Sequence, residues 1–193
     1  MTTVPDKNAL RSVVRDRLRK GEPQNHAALR ENLAALLRRL ESECWVAYLA
    51  FQQEPNLDEL LDDLLANSKS LVIPRFNHET LSYDLVPVTD LHSQVAVGHH
   101  GIREPLPELP AIDRLPESTG WLTPGLAFTV RGARLGRGAG HYDRLFLRFP
   151  QGKRIGIAWE CQMLDEIPGD PWDIPMDFIT TEARTVDCRA PFT

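Results

Sequence analysis

Gly136, Gly138 and Gly140 alternate with Arg137 and Ala139 and run directly into His141-Tyr142-Asp143-Arg144. These residue types suit the binding of an anion. Glycine lets backbone N–H groups approach a ligand with no Cβ in the way, and the unpaired amides at a helix start carry partial positive charge. Arg137 adds a full charge. The loop reads as a phosphate cradle, with a tight turn between strand and helix as the competing reading. It matches neither common nucleotide loop, which would need Gly-x-x-x-x-Gly-Lys-Ser/Thr or Gly-x-Gly-x-x-Gly. Asp143 favours the cradle. A carboxylate in a first helical turn suits the dipole, but a bound polyphosphate would repel it unless a cation lay between them. Magnesium takes one or two carboxylates together with phosphate oxygens, so it fits that place.

Three further groups of residues are candidates for chemistry. Lys7, Arg11 and Arg15 are four apart and share one helical face, which in isolation reads as solvated. Phe51-Gln52-Gln53-Glu54-Pro55-Asn56 follows an apolar run and reads as a polar loop before a helix. His99-His100 has no third ligand at metal-site spacing, whereas His141 puts a titratable ring inside the glycine loop. Cys44, Cys161 and Cys188 are odd in number and far apart, so reduced thiols are expected, with Cys44 buried.

The elements that must position these groups follow from periodicity. Residues 7–19 predict a first helix, and Leu29, Leu33, Leu36, Leu37 and Leu40 trace the apolar stripe of a second, after a break at Gly21-Glu22-Pro23. Trp45 to Ala50 predicts a buried strand. Leu57, Leu60, Leu61, Leu64 and Leu65 predict a third helix, with Asn56 and Glu59 placed to cap it. Leu71-Val72-Ile73 is a second strand, and strand–helix–strand implies parallel pairing. Leu81 to Leu85 alternates like a half-buried strand within a proline-rich excursion from 77 to 119. Leu126 to Val130 reads as the strand feeding the glycine loop, and Tyr142, Leu145, Phe146 and Phe149 as the buried face of the following helix. Residues 154–158 and 177–180 complete the set. The expected architecture is α/β: one Rossmann-like domain over 1–193, a three-layer α/β/α sandwich with a mostly parallel sheet. Ligands in such sheets sit outside the carboxyl ends of the strands.

With 193 residues, 42% hydrophobic and 25% charged, the chain can bury one substantial core. A net charge of -5 gives no basic field for nucleic acid. No apolar run approaches the ~20 residues that cross a bilayer, and Met1 to Asn8 lacks a secretory pattern. A cytoplasmic monomer acting on small molecules is expected, with neither membrane nor nucleic acid as partner.

Pro124-Gly125-Leu126-Ala127-Phe128 followed by Arg134-Leu135-Gly-x-Gly-x-Gly-x-Tyr142-Asp143-Arg144 resembles the signature of the 5-formyltetrahydrofolate cyclo-ligases, also called methenyltetrahydrofolate synthetases. Lys7-x-x-Leu10-Arg11, Ile73-Pro74-Arg75, Gly101-Ile102-Arg103-Glu104-Pro105 and Met176 to Glu182 fall in the family's order along nearly the whole chain. The resemblance implies ATP-dependent closure of 5-formyltetrahydrofolate to 5,10-methenyltetrahydrofolate, with ATP as co-substrate and Mg2+ as cofactor. It implies that Lys7, Arg11, Arg134, Gly136, Arg137, Gly138, Ala139, Gly140, His141 and Tyr142 hold the nucleotide, with Arg137 and Asp143 acting in catalysis. Phe51, Glu54 or Asn56, and Tyr142 would border the folate, and Asp143 with Asp177 would hold the metal. Thr129, Ala139 and His141 depart from the family pattern; Thr129 stands where a carboxylate commonly lies. The alternative they raise is a divergent member that binds nucleotide or folate without catalysis.

Overall fold

The computed structural model describes residues 6–20, 24–98 and 101–190. The Gly21-Glu22-Pro23 break and the His99-His100 pair fall outside them. Two helices come first, α1 (Lys7–Lys20) and α2 (His26–Leu40). Asn25 caps α2, its Oδ1 accepting from Ala28 N–H at 3.1 Å, and Glu41 ends it in the left-handed region. The unit β1 (Cys44–Val46), α3 (Asp58–Ala66), β2 (Ser70–Asn77) follows, with β1 and β2 parallel. Only Trp45 and Val46 of the predicted Trp45–Ala50 strand fall in β1, although Ala47, Tyr48 and Leu49 remain buried. The predicted cap of α3 is replaced by a local turn. Asn56 Oδ1 accepts from Asp58 N–H at 2.7 Å, and Glu59 reaches Arg30 on α2 instead of the helix start.

β3 (Ser82–Val88) runs antiparallel to β2, and the excursion adds a small ribbon of β4 (Val95–Val97) and β5 (Arg103–Pro105). The chain returns to the sheet as β6 (Thr119–Pro124), parallel to β1. This strand was not legible in Thr-Gly-Trp-Leu-Thr-Pro. Leu126–Val130, in turn, is no sheet strand: only β7 (Ala127–Phe128) pairs, with β8 (Arg134–Leu135), in a separate hairpin. The glycine loop leaves β8 and enters α4 (His141–Arg148), which leads to β9 (Lys153–Ile157), β10 (Phe178–Thr180) and β11 (Thr185–Asp187).

The sheet order is β11-β10-β9-β6-β1-β2-β3, with five parallel strands at the centre and an antiparallel strand at each edge. Alternation along each strand divides its side chains between two cores. Trp45, Leu71, Leu122 and Ile155 face α1, α2 and α3, while Val46, Val72, Trp121 and Ile179 face α4 and Phe128. Strands buried on both faces read as continuous apolar runs, and the result is the three-layer α/β/α sandwich.

Gly120 lets β6 lie beside β1, because a Cβ there would stand 2.1 Å from the Trp45 ring. Overpacking a site walled by a buried indole costs about 1–3 kcal/mol or more. Gly120→Ala is therefore expected to lower the midpoint of urea denaturation with an unchanged slope. A variant as stable as the parent would show that Trp45 has room to move.

Candidate active site

The two crossovers diverge: β1 leads through α3 to β2 on one side, and β6 leads through the hairpin and α4 to β9 on the other. Side-by-side strands whose connections part leave a crevice at their carboxyl ends. Here that crevice is a cleft walled by Tyr48, Leu49 and Phe51 after β1, Pro124 and Gly125 after β6, and Gly136 to Asp143. Pro74, Tyr83, Ile102 and Glu104 close it from the far side.

The glycine loop forms one end. Gly138 and Gly140 have φ of +117° and +64°, and Gly140 opens α4 in the left-handed region. Arg11 Nε donates to Gly136 O at 3.0 Å, so α1 touches the loop. Arg137 reaches back across the cleft to Glu54 Oε1 at 2.9 Å and lies 5.4 Å over the Phe51 ring. Glu54 Oε2 accepts from Phe51 N–H at 3.0 Å, and Tyr48 Oη donates to Pro55 O at 2.8 Å, which together fix the 51–55 loop.

Asp143 is held by Arg134, whose Nη2 donates to both carboxylate oxygens at 3.0 and 2.9 Å. The Arg134 side chain is 6% exposed and its Nε has no partner among the described residues. Arg134 also lies 5.5 Å over the Tyr142 ring. Tyr142 lines the cleft and packs on the α4-side core, as its helical spacing predicts for the buried face. Burial, then the charge of Glu54, holds its phenol well above the usual range, so it remains a donor.

Lys7 lies off the cleft wall, 2.6 Å from both Asp170 and Asp173. Burial pulls its ammonium down, but these two hydrogen bonds outweigh that and raise it. Asp170 and Asp173 were missed in the sequence because their segment has no periodicity; only the long-range pairing reveals them.

Two expected site residues are elsewhere. Asp177 does not line the cleft: its backbone and Oδ2 bond Arg154, level with Trp121 in the register and three residues short of Pro124, where β6 ends. At 3.3 Å per residue that is ~10 Å along the strands. It sits at the start of β10, whereas the cleft lies at strand ends, so a metal shared by Asp143 and Asp177 does not fit this geometry. Asn56 faces a different surface cleft, with His26 and Arg30, which leaves Glu54 as the residue of the two that lines this cleft. Among the described residues no group of three or more His, Cys, Asp or Glu could hold a metal. Magnesium bound largely by phosphate needs no such cage, and Asp143 retains free lone pairs for it.

Two of the three departures from the family pattern have a structural account. Thr129 Oγ1 accepts from Ala133 N–H at 3.2 Å within the β7–β8 turn, so no cleft carboxylate is missing there. His141 stacks edge-on against Tyr83 and Phe76 at 4.9 and 5.7 Å, keeping the flat ring of an aromatic. Its Nδ1 lies 2.7 Å from Arg144 Nη2 and acts as acceptor. Burial, then Arg144, lowers its pKa below 6.5. A depressed histidine favours the fold while neutral, so this contribution is lost as pH falls from about 6.5 through the lowered value. Melting temperature should drop more for the parent than for His141→Phe between about pH 7.5 and pH 5; parallel profiles would remove His141 from the pH response.

No helix among the described residues is long and apolar enough to cross a membrane. Residues 3–182 match the model of the 5-formyltetrahydrofolate cyclo-ligase family. The chain is 31% identical over 179 residues to 5-formyltetrahydrofolate cyclo-ligase of Mycolicibacterium smegmatis, covering 91% of this chain and 90% of that one. It is 30% identical over 165 residues to a probable 5-formyltetrahydrofolate cyclo-ligase of Caenorhabditis elegans, covering 76% of each. The solved structure of Aquifex aeolicus 5,10-methenyltetrahydrofolate synthetase superposes with a TM-score of 0.80 at 30% identity, over 97% of this chain and 95% of that one. With the glycine loop, its arginines and the cleft in the place such a sheet provides, this chain belongs to the 5-formyltetrahydrofolate cyclo-ligase family, whose members are ATP-dependent ligases.

Proposed function

We propose that this chain converts 5-formyltetrahydrofolate to 5,10-methenyltetrahydrofolate with consumption of ATP and release of ADP and phosphate. The observation that carries the reading is the two-ended cleft. Phe51, Tyr83, Pro74 and Ile102 offer apolar surface for a flat ring, and Gly136 to Gly140 with Arg11 and Arg137 offer an anion site a few residues away.

In this reading the N5-formyl oxygen attacks the γ-phosphorus of ATP and ADP leaves. N10 then adds to the activated carbon, loses its proton, and the C–O bond breaks to release phosphate. The formyl oxygen carries no proton, so its attack needs no general base. That agrees with a site of glycines, cations and carboxylates lacking a nucleophile with its base. Catalysis rests on alignment and charge neutralisation. The amides of Gly136, Gly138 and Gly140 and the charge of Arg137 take the phosphates, with Arg11 and Lys7 behind them. Arg137 would exchange Glu54 for phosphate, freeing Glu54 to accept from the pterin beside Phe51. Arg134 holds Asp143 in place. Magnesium, where bound, would be held by Asp143 and would offset the charge of the phosphates; Asp170 and Asp173, paired with Lys7, are further carboxylates beside α1.

The direct test is incubation of the purified protein with ATP, magnesium and 5-formyltetrahydrofolate. Methenyltetrahydrofolate, followed by its absorbance, and ADP should appear in equal amounts and only with ATP present. Binding of both ligands without product, in folded protein at several pH values, would establish the non-catalytic alternative instead.

A further inference from the structure

We propose that Glu104 recognises the pyrimidine edge of the pterin, its carboxylate accepting hydrogen bonds from N3–H and the 2-amino group. This rests on the cyclo-ligase reading and adds to it a determinant of substrate specificity. Glu104 is the central residue of β5, opposite Ala96 in the two-stranded ribbon. It is only 8% exposed, yet it forms part of the cleft wall beside Tyr83 and Ile102. Its Oε1 accepts from Phe76 N–H at 3.1 Å, which anchors the side chain to β2. Its Oε2 takes no hydrogen bond among the described residues. A carboxylate is acceptor-only, and burying one is costly unless donors meet it.

The surroundings withhold those donors. The adjacent Arg103 turns away and pairs with both oxygens of Asp58, at 2.9 and 2.7 Å. Of the cleft's other carboxylates, Glu54 already receives Arg137 and Phe51 N–H, and Asp143 receives Arg134. Oε2 lies beside Gly98, in room that a side chain there would take: a Cβ would stand 2.7 Å from it. The Tyr83 phenol, raised by burial and then by the charge of Glu104, shares this corner. A ligand that suits Oε2 brings N–H donors on a flat frame. The 2-amino-4-oxopyrimidine edge of a reduced pterin presents two side by side, the geometry a carboxylate pairs with best. That edge lies across the bicycle from N5, so anchoring it leaves the formyl group free to face the glycine loop.

The test measures dissociation constants of 5-formyltetrahydrofolate, its 2-desamino-2-methyl analogue and ATP for the parent and Glu104→Gln. Glutamine keeps an oxygen for Phe76 N–H but turns an NH2 group toward the two ligand donors. Glu104→Gln should melt with the parent, bind ATP equally well and bind 5-formyltetrahydrofolate about 10- to 100-fold more weakly, as for loss of charge-assisted hydrogen bonds. The analogue keeps N3–H but lacks the second donor, so it should bind the parent more weakly than 5-formyltetrahydrofolate does and lose less affinity in Glu104→Gln. Undiminished 5-formyltetrahydrofolate affinity in the variant, or equal affinity of the parent for the two folates, would overturn the proposal. So would a lowered melting temperature with native affinity per folded molecule, which assigns Glu104 to holding β2 alone. A parent that binds ATP but no folate would remove the cyclo-ligase reading and this inference with it.

Discussion

Asp143→Asn is expected to reduce turnover about 10²-fold or more, the scale of losing one positioned charge stabiliser. The residue lies in the first turn of α4, inside the cleft, with both oxygens on Arg134. Asparagine keeps the shape and one acceptor but removes the negative charge that would hold a cation against the phosphates. The change also leaves Arg134, 6% exposed, without its counter-charge. A stability loss of about 1–3 kcal/mol follows from weakening a hydrogen bond to a charged group. Turnover must therefore be expressed per folded molecule, with melts of the same preparations. Near-native turnover with unchanged dependence on magnesium would show that Asp143 serves only to hold Arg134.

Gly138→Val separates a phosphate cradle from a turn. Gly138 has φ of +117°, a conformation a branched residue resists, and a Cβ there would lie 3.7 Å from the Arg11 guanidinium, in ordinary contact. The added side chain would enter the space between the loop amides and Arg11, where phosphate is proposed to lie. ATP affinity should fall on the order of 10²-fold, the scale of losing hydrogen bonds to a charged group. Because the loop is exposed at Gly138, stability should fall far less. Calorimetric titration of ATP beside thermal melts reads both. Unaltered ATP affinity in the folded variant, with stability lost, would mean that the loop only turns the chain.

The helices and the glycine loop were legible because their signals are local. An apolar stripe of leucines marks α2, and alternate glycines before a helix mark the loop whatever the rest of the chain does. β6 was hidden because its sequence obeys a neighbour: Gly120 is set by the Trp45 ring across the strand pair, so the strand carries a residue that reads as a breaker. Leu126–Val130 misled in the opposite way, since its apolar residues bury Phe128 against α4 from a hairpin instead of joining the sheet. Asp177 was misplaced because a short strand read from sequence does not say which end faces the cleft. The pairing of Lys7 with Asp170 and Asp173, across more than 160 positions, belongs to tertiary structure alone.

Transfer of the formyl oxygen to phosphate is the step on which the whole account depends. 5-Formyltetrahydrofolate labelled with 18O in the formyl group should be turned over with ATP, and the released phosphate and the water analysed by mass spectrometry. The account predicts that phosphate carries the label and ADP does not, because the C–O bond breaks only after the oxygen has joined phosphorus. Label recovered in water, with unlabelled phosphate, would mean that the ring closes by dehydration without phosphorylation, and would contradict the account.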